Sequence, residues 1–201
     1  MRGSSGYTIV EVLVMSVVAL VVFGLLFNVF LVALQRTEDG RIMVDLQQEA
    51  MFCIVRWEKD LERSSANRGI QVQGEEPRYI GVLSASGVAS NGTVVWENRL
   101  ARWCYSPSNR TLSRGVFLTG SNLIVHTSPL PLAGLIEAPG EIQRTFCEDV
   151  EEFSLKDRNG NAEHFQDEPL VFRLKLRRAL SVSQRYAEFT VERRYTLRNT
   201  F

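Results

Sequence analysis

Two hydrophobic patterns follow one another along the chain. From Val12 to Leu34 almost every position is apolar, with Ser16 and Asn28 the clearly polar exceptions. A run of about 23 residues makes a helix of roughly 35 Å, long enough to cross a bilayer. From Thr37 to Leu61 the pattern becomes periodic. Ile42, Leu46, Ala50, Cys53, Trp57 and Leu61 recur every three to four residues, and Met43, Phe52 and Val55 widen the stripe. Arg41, Asp45, Glu49, Arg56, Glu58, Lys59 and Glu62 fall elsewhere on the wheel. Together the two halves predict one helix from about Thr8 to about Arg63, loosened at Gly40 and ended by the turn formers from Ser64 to Gly69. Its second half should lay the apolar stripe against a folded domain.

Beyond Gly69 the pattern shortens to strands and turns. Tyr79 to Leu83 reads as an apolar strand, and Asn91-Gly92 as a hairpin turn before Thr93 to Glu97. Leu100 to Ser106 is expected to pair back across Asn98-Arg99, and Pro107 to Asn109 to turn into Thr111 to Arg114. Val150 to Lys156 and the Asn159-Gly160 turn make a further edge. In Leu170 to Arg177, Phe172, Leu174 and Leu176 alternate with Arg173, Lys175 and Arg177. Tyr186 to Arg198 is a last long strand with Phe189, Val191, Tyr195 and Leu197 inward. A long helix followed by consecutive strands predicts an α+β fold, the helix packed on an antiparallel sheet.

Composition narrows the chemistry. The 23 basic and 23 acidic residues cancel, so the bulk charge asks for neither nucleic acid nor an acidic surface. Among three cysteines, Cys53 lies in an apolar stretch and reads as a buried thiol, whereas Cys104 and Cys147 lie among the strands. An oxidising compartment could bridge Cys104 to Cys147, a pairing that sequence leaves open because it gives no distance. His126 and His164 stand alone, and no nucleophile has a base beside it, so no catalytic, cofactor or metal-ligating residue is assigned. Glu148, Asp149, Glu151 and Glu152 lack the spacing of a calcium loop and read as a solvated surface. Arg173, Lys175 and Arg177, with Arg193 and Arg194, could touch DNA phosphates, or could pair across the sheet with Glu188 and Glu192. Trp96, Trp103 and Tyr105 read as core rather than as a binding platform.

The remaining signal precedes the apolar run: Gly6-Tyr7-Thr8-Ile9-Val10-Glu11. A lone carboxylate at the head of a membrane-length helix is costly and needs a partner. A secretory signal peptide has a shorter apolar core followed by a small-residue cleavage site, and Gln35-Arg36-Thr37-Glu38-Asp39 offers none. A plain anchor explains the length but gives no role to Gly6 or Glu11. The hexapeptide resembles the class III signal of type IV prepilins and type II secretion pseudopilins, whose usual pattern is Gly-Phe-Thr-Leu-(Ile/Leu/Val)-Glu. That resemblance implies cleavage after Gly6 by a prepilin peptidase, N-methylation of Tyr7, and an assembly role for Glu11. Tyr7 replaces the usual Phe and keeps an aromatic ring. Arg2 in the leader favours a cytoplasmic N-terminus.

Softer patterns over most of the chain are similar to the larger minor subunits, the W-type minor pilins and J-type minor pseudopilins. They are Val55 to Arg63, Val94 to Arg114, Val150 to Phe153 with Pro169 to Leu176, and Thr196 to Asn199. Asn28 stands where many major pilins carry a kinking Pro. The resemblance implies a leader over 1–6, a transmembrane or filament-core helix over 7–36, its soluble half over 37–64 and a β-rich domain over 65–201. It implies a single-pass inner-membrane protein with its domain in the periplasm, later assembled into a pilus or pseudopilus. Implied partners are other minor and major (pseudo)pilins, the prepilin peptidase, the assembly platform and the membrane. The alternatives are a DNA-binding or adhesive tip pilin, with nucleic acid as partner, and an unrelated anchored periplasmic protein.

Overall fold

A computed structural model describes residues 8–62, 64, 69–74, 77–92, 94–118, 141–162, 165, 168–180 and 185–197. Helix α1 runs unbroken over Ile9–Leu61, 53 residues, and continues through Gly40. A single glycine weakens a helix by about 1 kcal/mol, too little to break one anchored on both sides. The layout is α+β: α1 packs on strands that, among the described residues, all pair antiparallel.

Among the described residues, eight strands form two sheets. The first has the order β1 (Ile70–Gln73), β2 (Arg78–Val88), β3 (Val94–Ser106), β4 (Thr111–Leu118) and β5 (Glu141–Cys147). The second is β6 (Val150–Lys156), β7 (Leu170–Ala179) and β8 (Tyr186–Tyr195). The sheets part between Cys147, which pairs with Leu112, and Val150, which pairs with Leu176. Asp149 supplies the corner at φ 58°, a left-handed backbone that a short polar side chain tolerates. The corner is tied down on both sides, by Val150 N–H to Arg110 O at 2.8 Å and Arg177 N–H to Asp149 O at 2.9 Å.

The Asn91-Gly92 turn joins β2 to β3, with Gly92 at φ 81° and its N–H on Ala89 O. The turn expected at Asn98-Arg99 is absent: β3 is one 13-residue strand, and β2 is long enough to pair along it from Arg78↔Tyr105 to Val88↔Val94. Register shifts absorb the irregularity: residues 97–99 of β3 lie opposite Ser84 alone, and the extra residue Ser86 on β2 follows. Neither Asn98 nor Arg99 has a positive φ, so the strand bulges there instead of turning back, and pairing with β2 resumes on both sides. At the Asn159-Gly160 turn, Asp157 accepts from the Asn159 and Asn161 backbone N–H groups through one oxygen and from the Asn161 amide through the other.

The core lies where both sheets meet the soluble half of α1. Leu46, Ala50, Cys53, Ile54, Trp57 and Leu61 are buried there against Ile80, Val82, Trp103, Leu112, Phe153, Phe172, Leu174 and Leu176. Trp57 is the hub: its ring meets those of Trp103 at 5.4 Å, Phe153 at 6.1 Å and Phe172 at 5.4 Å. Each such side chain contributes about 1.5–3 kcal/mol by leaving water, and edge-on ring pairs add about 0.5–1.5 kcal/mol. Phe52 and Val55 depart from the expected stripe. Phe52 is 70% exposed and Val55 45% exposed, while Ile54 takes the buried position. The buried arc is narrower than the apolar residues suggest, because the sheets cover only one side of the helix.

Candidate functional site: the exposed stem and its anchorage

From Thr8 to Glu38 every residue of α1 is exposed, including Leu20 at 71% and Phe23 at 70%. The apolar side chains point outward on all sides, so this half of the helix is long and apolar enough to cross a membrane. Its two hydroxyls beyond the Thr8 cap do not need an outside partner: Ser16 donates to Val12 O at 2.7 Å and Thr37 to Ala33 O at 2.9 Å.

Glu11 sits in the first helical turn. Its carboxylate accepts from the Thr8 backbone N–H at 3.3 Å, while the Thr8 hydroxyl accepts from the Glu11 N–H at 3.3 Å. This reciprocal capping box satisfies two of the free donors at the helix start and puts a negative charge at the positive end of the helix dipole. Gly6 and Tyr7, the residues around the expected cleavage point, lie outside the described residues. The spacing Thr8-x-x-Glu11 is itself a sequence signal for the cap, and it lies inside the hexapeptide that carries the resemblance.

The other end of α1 is fastened to the sheets by buried polar contacts. Asp60, 7% exposed, faces β3 and β4. It takes Arg114 Nε at 2.6 Å and Nη2 at 2.7 Å on its two oxygens, and Trp103 Nε1 at 2.9 Å. Arg114 is itself only 8% exposed and stands over the Trp103 ring at 6.0 Å. Short, bidentate and dry, this pair fixes the rotation and height of the helix more than it adds net stability. Arg56, 3.9 Å from Asp60, has its guanidinium pushed below the usual range by burial and by the nearby Arg114. Asp60 falls at the right helical spacing to have been found, four residues past Arg56 and three past Trp57; its charge hid it among the solvent-facing residues.

Two further ties hold the helix at other heights. Arg178 on β7 donates to Asp149 at 2.7 Å and to Glu49 at 2.9 Å, joining the corner between the sheets to α1. Those bonds, the Asp149 one first, raise the Arg178 pKa above its ordinary value. The Tyr195 hydroxyl donates to Glu58 at 3.3 Å, and burial with the Glu58 charge holds its proton well above the ordinary phenol range.

The cysteines are free. The expected Cys104–Cys147 pairing does not match the register. Cys147 pairs with Leu112 and Leu112 with Tyr105, whereas Cys104 pairs with Ser113, so the two thiols face opposite sides of the sheet with β4 between them. Two strand spacings are about 9–10 Å, beyond the Cα separation of about 7 Å that a disulfide bridges. Cys53 is buried, as read.

The basic row of β7 meets acids on both neighbours. Lys175 lies 2.7 Å from Glu151 and 3.4 Å from Glu188, Arg177 lies 2.9 Å from Glu151 and 3.3 Å from Glu188, and Arg173 lies 3.5 Å from Glu152. Hydrogen bonds from Lys175 and Arg177 hold the Glu151 carboxyl below its usual range. Cross-strand pairing therefore accounts for this row, and the acidic run 148–152 supplies much of its counter-charge. Trp96 and Trp103 are buried, and the half-buried Tyr105 donates its hydroxyl to Glu151 O at 3.0 Å. No model of a known protein family and no curated protein matches the chain.

Proposed function

We propose that the chain is a minor pilin or pseudopilin, a structural subunit that primes or caps a type IV pilus-like or type II secretion filament. The observation that carries this reading is an apolar helix exposed on every side, headed by a single capping acid and pinned to a sheet domain by a buried ion pair. A helix of that kind needs lipid or other helices around it. Before assembly it would sit in the inner membrane with the domain in the periplasm. After cleavage behind Gly6 the new amine of Tyr7 carries a positive charge. In a helical bundle, Glu11 of one subunit would lie against the amine of its neighbour and set axial register. Neighbouring minor and major subunits, the prepilin peptidase and the assembly platform are the partners this role requires.

Mass spectrometry of the mature N-terminus tests the reading directly. A methylated chain starting at Tyr7 is expected in cells that own the peptidase; an intact leader there overturns the proposal. Glu11→Val should be cleaved normally yet enter filaments poorly, and normal incorporation would remove the pairing role.

A further inference from the structure

Cys53 and Cys147 share one dry place in the fold. Cys53 is 0% exposed on the buried face of α1, and Cys147 is 1% exposed at the end of β5. The Cys147 thiol donates to Glu49 O at 3.5 Å. That carbonyl lies one turn before Cys53 in α1 and, by helical pairing, accepts the Cys53 N–H. Both cysteines therefore sit at one carbonyl of α1, and the Cys147 thiol together with burial pushes Cys53 well above the ordinary thiol range. Cys104, by contrast, faces the other side of the sheet.

We propose that Cys53 and Cys147 are a disulfide pair that staples the soluble half of α1 to β5. In the cell this rests on the periplasmic placement proposed above, because a cytosolic pair stays reduced. The chemistry is thiol–disulfide exchange. One protein thiolate attacks a disulfide oxidant and releases one reduced thiol; the second protein thiolate then attacks that mixed disulfide and releases the other. The chain loses two protons and two electrons, one S–S bond forms within it, and the oxidant leaves as two thiols. A buried thiol with a raised pKa exchanges slowly, so the bond should close while the helix is docking rather than afterwards.

The bond would matter because the described ties between the helix and the sheets are non-covalent: ion pairs, hydrogen bonds and packing. A covalent link between α1 and β5, the strand next to the corner at Asp149, keeps the domain on its stem when the stem is pulled.

The test uses the full chain expressed in the envelope, quenched in acid, denatured and labelled with a thiol-reactive polymer. Of the three cysteines, one should label before reduction and all three after it. Cys104→Ser should leave none labelled before reduction, and Cys53→Ser or Cys147→Ser should each leave two. Protease added outside the inner membrane reports separately where the domain lies. Three free thiols on a domain that the protease reaches overturn the staple. A domain it cannot reach counts against the proposed placement, and the staple is then decided by refolding the purified chain in a glutathione redox buffer. Peptide mapping should there yield a Cys53–Cys147 linkage; a linkage through Cys104, or none, overturns the pair.

Discussion

Replacing Asp60 by leucine probes the contact that orients the stem. The side chain is 7% exposed and accepts three hydrogen bonds, two from Arg114 and one from the Trp103 indole. Asp60→Leu leaves the Arg114 guanidinium, 8% exposed, without its counter-charge and the Trp103 N–H without an acceptor. Breaking one side of a buried pair costs about 3–5 kcal/mol. That is a large share of the roughly 5–15 kcal/mol that holds an ordinary domain together. The double variant Asp60→Leu with Arg114→Met removes the stranded charge and leaves chiefly the orphaned indole, a penalty of about 1–3 kcal/mol. Urea unfolding of the full chain in detergent, followed by the fluorescence of the buried Trp57 and Trp103, measures both. The double variant should be more stable than Asp60→Leu alone. A single variant within about 1 kcal/mol of wild type, or a double variant no better than the single, refutes the assignment of Asp60 as a buried counter-ion.

Further outcomes follow from the other ties. Thr8→Ala removes the hydroxyl half of the capping box and should cost the first turn of α1 about 1 kcal/mol, read as faster amide exchange at residues 9–12. Glu151 has its folded pKa below the unfolded one, so its contribution is present above the ordinary carboxylate range and is lost as pH falls through the folded pKa. Glu151→Gln should flatten the acid limb of a stability–pH profile; an unchanged limb contradicts the role of Lys175 and Arg177. Tyr195 runs the other way: its raised pKa means full stability below about pH 10 and a decline above it as the unfolded chain ionises, a decline that Tyr195→Phe should remove in an alkaline melt.

Periodicity made α1 legible almost to the residue, because a 3.6 spacing and a solid apolar run survive any tertiary context. The β-hairpin at Asn91-Gly92 and the alternation of β7 were legible for the same reason. What escaped was set by partners far away in the chain. Asp60 carries a charge on a buried arc, and Arg114, 54 residues on, with the Trp103 indole makes that position tolerable. Phe52 and Val55 are apolar and exposed, because the sheets reach one side of the helix and not the other. The Cys104 register depends on a pairing phase with β4 that cysteine spacing does not encode, and a one-residue change of phase moves a thiol to the opposite face. The division into two sheets hangs on one left-handed residue, Asp149. The capping role of Glu11 is legible in the Thr8-x-x-Glu11 spacing, which overlaps the hexapeptide that resembles a processing signal.

The polar ties and the greasy stem make demands on each other. An apolar helix can slide along its axis or rotate against apolar partners at little cost, since no single van der Waals contact is directional. A subunit whose stem rotated freely under its domain could not present one fixed surface to its neighbours. Asp60, Glu58 and Glu49 prevent that at three heights, each holding a side chain from a different strand: Arg114 from β4, Tyr195 from β8 and Arg178 from β7. The angle at which the stem leaves the domain is therefore set by hydrogen-bond geometry rather than by the apolar packing that supplies most of the binding. Loosening one tie should leave the chain folded and in the membrane while blurring that angle. Glu58→Met, which keeps the helix and removes the acceptor, should thus broaden the distance distribution between spin labels placed on the stem and on β7, and an unbroadened distribution would show that packing alone sets the angle.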